Sequence, residues 1–194
     1  MPLTKGGYPP TNTDYLFAGM APADVSHAPR FNMPITDASA DTAVLTTQVM
    51  TAVALPLCAG DVVTKLCFKS GATAAGTPTN WWFALYDTAA TPNFIAQTAD
   101  QLTAAWAADT AKDLALSAPF TAPAPGLYYA AVMVKATTPP SLIGVTLGRA
   151  SASSGWLSTD KIVVGTSGSA LTTTAPATLA SLTAIAACPR VVAH

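Results

Sequence analysis

The stretch Asn80-Trp81-Trp82-Phe83-Ala84-Leu85-Tyr86-Asp87 decides the fold. At the period of two that a strand imposes, Trp81, Phe83 and Leu85 fall on one side and Trp82, Ala84 and Tyr86 on the other, so both faces are apolar. Such a strand belongs in the middle of a sheet covered on both sides. Its expected partner is Gly126 to Ala136, where Leu127-Tyr128-Tyr129-Ala130-Ala131-Val132-Met133-Val134-Lys135 is again aromatic and β-branched. Ala124-Pro125-Gly126 opens that run as a turn.

Outward from this pair the chain reads as further short strands. Ala43 to Leu55 places Leu45, Val49, Val53 and Leu55 on one face, and Pro56 is expected to end it. After the turn Ala59-Gly60-Asp61, the residues Val62, Leu66 and Phe68 alternate with Lys65, Cys67 and Lys69, the pattern of a half-buried strand. Phe94 to Thr98, the residues around Leu114 and Leu116, Leu142 to Leu147 (interrupted at Gly144) and Ile185 to Val192 add more. Pro189 argues that the last of these lies at an edge. Trp156 to Val164 reads as an edge hairpin, and the Thr/Ser/Ala-rich tract from Gly165 to Ala180 as a long surface loop. About eight short strands punctuated by turns predict an all-β, jelly-roll-like two-sheet sandwich over residues 43–194. Its core is expected to include Val49, Leu66, Phe68, Trp81, Phe83, Leu85, Leu127, Tyr129 and Met133.

Residues 1–42 differ. They hold six of the sixteen prolines, which exclude a long helix or a central strand and leave an extended arm. Interleaved with those prolines are Tyr8, Tyr15, Phe17, Met20, Phe31 and Met33. Disordered linkers are poor in such residues, and exposed apolar side chains mark interaction surfaces, so these six are candidate partner contacts, against the sandwich itself or against a neighbouring subunit.

Composition narrows the function. Hydrophobic residues make up 51% of the 194 and charged residues 10%, all ten acids being Asp. A net charge of −1 gives no electrostatic case for nucleic acid or an anionic membrane. No apolar run is long enough to cross a bilayer, and Met1 to Tyr8 lacks the apolar core of a secretory signal. Cys58, Cys67 and Cys188 match no zinc spacing and read as free thiols, with a Cys58–Cys67 bridge as the alternative.

No catalytic motif survives its context. Ser158-Thr159-Asp160-Lys161 has the Ser-x-x-Lys spacing, but on a strand its ends point to opposite faces. Gly165-Thr166-Ser167-Gly168 is one residue short of a nucleophile elbow. The two histidines are His27 in the arm and His194, poorly placed for a triad, and no Glu is present to act as a raised-pKa acid. The expectation is a non-enzymatic protein without metal or cofactor. Trp106 and Trp156 are candidate platforms for stacking a sugar ring, with core packing the favoured use for most of the four Trp.

The strings themselves carry a resemblance. Thr42 to Met50, Ala59-Gly60-Asp61-Val62-Val63, Gly71 to Tyr86 and Gly126 to Thr138 resemble a module of virion structural proteins of actinobacterial tailed phages, of the minor tail or head-decoration type. The resemblance spans residues 41–192. It implies a sandwich on the outer surface of a virion, assembled in the bacterial cytoplasm, partnered by itself as a symmetric homo-oligomer and by other virion proteins; the symmetry of heads and tails makes a trimer the expected form. A host surface glycan is the further partner if the module sits at a tail tip.

Overall fold

The computed structural model describes residues 29–155, 157 and 160–194. Strands there are β1 (Arg30–Phe31), β2 (Ala40–Asp41), β3 (Met50–Leu57), β4 (Val62–Lys69), β5 (Asn80–Tyr86), β6 (Phe94–Gln97), β7 (Ala111–Thr121), β8 (Gly126–Lys135), β9 (Ile143–Thr146), β10 (Val164–Ser167), β11 (Thr183–Ala184), β12 (Ala187–Pro189) and β13 (Val191–Ala193). They form a six-stranded sheet in the order β11-β10-β3-β8-β5-β6, a four-stranded sheet β1-β13-β4-β7 and a small sheet β12-β9-β2. Between β3 and β8 the chain passes repeatedly from one large sheet to the other, with β6 remaining beside β5, as in a jelly roll. The fold is an all-β two-sheet sandwich.

The Trp-rich strand and the Tyr128–Tyr129 strand pair antiparallel, from Asn80 opposite Lys135 to Tyr86 opposite Tyr129. Trp81, Phe83 and Leu85 enter the core between the large sheets, where the Phe83 ring meets Phe68 of the opposing sheet at 4.8 Å between centroids. Trp82, Ala84 and Tyr86 enter a second core on the outer face, with Met50, Ala52, Tyr129, Ala131 and Met133.

Residues 168–182 run over the surface as irregular chain, as expected, but they also cover that second core, and Gly165 to Ser167 belong to β10. Leu179 is 2% exposed, and Leu171, Ala175 and Leu182 pack beside it. The sheet holds this strap largely by its main chain: Trp82 Nε1 donates to Thr172 O (2.7 Å), Tyr86 Oη to Pro176 O (3.0 Å), Gln97 Nε2 to Thr173 O (2.9 Å) and the Phe94 amide to Ala177 O (2.9 Å). The strand beside it starts at Val164 and pairs with β3, and Leu157 and residues 160–163 are not strand; of the hairpin expected over Trp156 to Val164, Trp156, Ser158 and Thr159 lie outside the described residues.

Other departures have local causes. The strand expected from Ala43 starts at Met50, because Gln48 takes a left-handed φ of 60° and Val49, half-buried, closes a turn on Thr46 O. Pro56 stays within β3. Ala54, two residues earlier, donates to Val163 O just beyond the end of β10, so the missing N–H of Pro56 points where no strand needs it. A bulge between Val63 and Lys65 lets both the Thr64 and Lys65 amides donate to His194 O, which turns Val62 outward and Val63 inward while Leu66 and Phe68 keep their core positions. Leu127 is 37% exposed because it and its register partner Pro56 lie past the end of the strap. The short strand around Leu114 and Leu116 is the eleven-residue β7. Gly144 is required by close approach: a Cβ there would lie 2.2 Å from Cys188 O and 2.7 Å from Pro189 Cα.

Candidate docking site at the N-terminal arm

The division at residue 42 is also corrected. Within the supposed arm, β1 pairs with β13 and β2 with β9, so residues 30–41 are part of the sandwich. Of residues 1–42, only 1–28 lie outside the described residues, and with them Tyr8, Tyr15, Phe17 and Met20. Phe31 and Met33 are spent on this chain's own structure: Met33 is buried in the main core, and Phe31 stacks under the Arg190 guanidinium at 5.3 Å.

The point where residues 1–28 join the sandwich is built around Arg30. Its Nε and one terminal nitrogen donate to the two carboxylate oxygens of Asp61, both at 2.6 Å, with side chains only 14% and 13% exposed. This is the planar, two-point pairing that Arg makes and Lys cannot. Asp61 sits in the turn between β3 and β4 because that turn needs it: its carboxylate also accepts the Cys58 amide at 2.7 Å, and Gly60 before it takes a φ of 88°. Ala122 ties the same turn to β7 by two main-chain hydrogen bonds of 2.8 Å. One carboxylate thus fixes the turn and the incoming chain together.

Two further contacts continue the attachment. Asn32 behaves as a main-chain unit, its Nδ2 donating to Pro189 O (2.9 Å) and its Oδ1 accepting from the Val191 amide (2.9 Å). Arg190 Nε donates to Met33 O at 3.2 Å. Asp41 then accepts the Ala72 amide, and Thr42 pairs with Leu142.

The other candidates are dispersed. Trp106 is not a sugar platform: it is fully buried, stacked on Trp81 at 5.0 Å, with Nε1 donating to Thr110 O. Ser167 is buried and donates to Ala180 O, while Lys161 Nζ donates to Thr88 O and Ala89 O. His194 Nε2 lies 2.8 Å from Asp113 Oδ1, with Lys65 Nζ 3.1 Å from the other oxygen. Burial pushes the Asp113 pKa up, but the hydrogen bonds and charges of His194 and Lys65 outweigh it and hold the carboxyl below its ordinary range. The three thiols are free, so Cys58 and Cys67 are not bridged. Burial raises the Cys188 pKa to about 11, a hydrogen bond from Asn32 working the other way. No group of three or more His, Cys, Asp or Glu close enough to hold a metal occurs among the described residues.

Sequence reasoning missed Arg30, Asn32, Asp61 and Arg190 as the attachment. One signal was present: the chain has only three arginines, and one of them stands in the Pro-rich segment. Neither the models of known protein families nor the curated proteins give a match to this sequence.

Proposed function

We propose that this chain is a non-enzymatic structural protein of a phage virion surface, a capsid-decoration or minor tail protein, which docks through residues 1–28. The observation that carries the reading is the attachment at Arg30. A bidentate, largely buried ion pair, a sheet pairing and an Asn mimicking main chain fix the chain's course up to Pro29. Whatever residues 1–28 grip is thereby coupled to a rigid sandwich. The resemblance of residues 41–192 to virion modules supports the same reading. In it the protein is a homo-oligomer, a trimer by the symmetry of heads and tails, with other virion proteins as partners and the virion as its location. The glycan-binding alternative at a tail tip has lost Trp106 and rests on Trp156 alone.

Deletion of residues 1–28 tests the proposal. The truncated chain keeps every strand described above, so it is expected to fold with unchanged thermal stability and to be absent from particles assembled in its presence. Full incorporation would overturn the arm as the docking element. Imaging of the particle then places the sandwich on head or tail.

A further inference from the structure

The outer face of the four-stranded sheet holds a half-buried cation with no counter-ion among the described residues. Arg190 stands at the Lys69 end of β4, its ring of charge over Phe31 and its Nε on Met33 O. Among the described residues neither Arg190 nor Lys69 has a carboxylate partner. Both line a groove of about 250 Å³ whose remaining walls are apolar, including Ile143, Val192 and Ile35, the last 58% exposed, with the Cys67 thiol alongside. Burial lowers the Arg190 pKa, as expected of a charge taken from water without compensation. Stacking and one main-chain acceptor hold the guanidinium in place while its other donors remain to be used. A fixed guanidinium fork beside an ammonium group, in an apolar surround, suits a carboxylate carried by an apolar segment.

This chain contains such a segment. Most described carboxylates are already engaged: Asp61 by Arg30, Asp113 by Lys65 and His194, Asp41 by Ala72, Asp87 by Ala89 and Asn93, and Asp100 by Trp81 and Asn80. Residues 1–28 carry Asp14, followed directly by Tyr15-Leu16-Phe17. The chain's own residues 1–28 join the sandwich at the other end of β4. Traced backwards from Phe31 to Arg30, β1 moves from the position of Cys67 to that of Leu66 and on towards Asp61, away from Lys69. The eight residues of β4 separate the two ends by about 25 Å at some 3.3 Å per residue; the chain from Asp14 to Arg30 has the length to cross that distance, so the choice of a neighbouring copy follows from the docking reading and the isotope-mixing experiment below decides it.

We propose that the Arg190–Lys69 groove is a carboxylate site that takes Asp14 of a neighbouring copy, with Tyr15 to Phe17 against its apolar walls. This rests on the reading that the arm docks on a neighbouring subunit and names the surface it meets.

The test uses the full-length chain with the exposed Cys58 changed to Ser. Asp14→Cys is expected to form a disulfide with the native Cys67 under mild oxidation, and mass spectrometry of mixed isotope-labelled and unlabelled chains should find it between chains. A bond found only within single chains, or none, overturns the proposal. Independently, Lys69→Glu and Asp14→Lys should each weaken self-association at least tenfold in sedimentation, and the double variant should recover it. Association unaffected by either single change, yet lost on deleting residues 1–28, sinks this site and leaves the docking arm standing. Association unaffected by the deletion itself sinks both.

Discussion

On the outer face of the six-stranded sheet, the alternating positions carry Met50, Ala52, Trp82, Tyr86, Tyr129 and Met133, and residues 168–182 lie over them. On the outer face of the four-stranded sheet, the same alternation yields Lys65, Cys67, Lys69, Asp113 and Val192, and nothing among the described residues lies over most of them. One sheet therefore needs a third layer and the other meets solvent directly. Lys65, Lys69 and Asp113 are three of the nineteen charged residues in the chain, so the open face carries charge where the covered one is apolar. The covered face contributes to stability; the open one carries its polar groups to solvent.

The largest expected effect comes from emptying the covered face. Trp82→Ala removes a fully buried side chain and the donor to Thr172 O, and should cost about 3–5 kcal/mol in chemical denaturation. A loss below about 1 kcal/mol would mean that this face is no core at all. Next comes the cover itself. Leu179→Ala should cost about 2–4 kcal/mol, the range of a buried leucine, whereas Val62→Ala on the exposed side of the bulge should stay within about 0.5 kcal/mol. Equal effects of these two variants would erase the contrast.

Titration separates the faces in opposite directions. Burial raises the Tyr86 pKa, so the neutral phenol is favoured in the folded state. Its contribution is full below the unfolded value of about 10 and is lost as pH rises from there towards the folded value. The urea midpoint should fall above about pH 10 in the parent protein, and less steeply in Tyr86→Phe. The smallest effect belongs to the open face. Asp113 has a lowered pKa, so its contribution is present above about pH 4 and is lost as pH falls through the folded value. Its side chain is 38% exposed, and solvent screening keeps such pairs to about 0–1 kcal/mol. Asp113→Asn should flatten the acid limb slightly, and added salt should do the same; a large effect would show that the open face is a structural element too.

The central pair β5 and β8 was legible because its two-sided apolar pattern has a single structural solution. The same pattern implied a cover for the Trp82 face, yet the cover was not recognised. Its apolar residues, Leu171, Ala175, Leu179 and Leu182, stand four, four and three apart, the spacing of a helix face, but Thr172-Thr173-Thr174 and Pro176 break a helix there, and the segment crosses the sheet as irregular chain. Phase errors at Val62 and Leu127 have related origins: a bulge and the end of a covering layer leave no local mark in the residues they affect. The site was half legible. The N-terminal segment was set apart by its prolines and aromatics, but the attachment of residues 30–41 depends on Arg30 meeting Asp61 across thirty-one residues of sequence, which a turn-forming Asp does not announce.

The strap is gripped by donors from Trp82, Tyr86, Gln97 and Phe94, and each closes on a main-chain carbonyl. Carbonyls are common to all twenty residue types. Selection on this segment therefore acts on its path and on a few leucine-sized contacts, while the exposed Thr172, Thr173, Thr174 and Ala177 are free to drift. A tract of monotonous composition persists here because its neighbours read the backbone and hardly notice the side chains, so related chains should diverge fastest where this one is simplest.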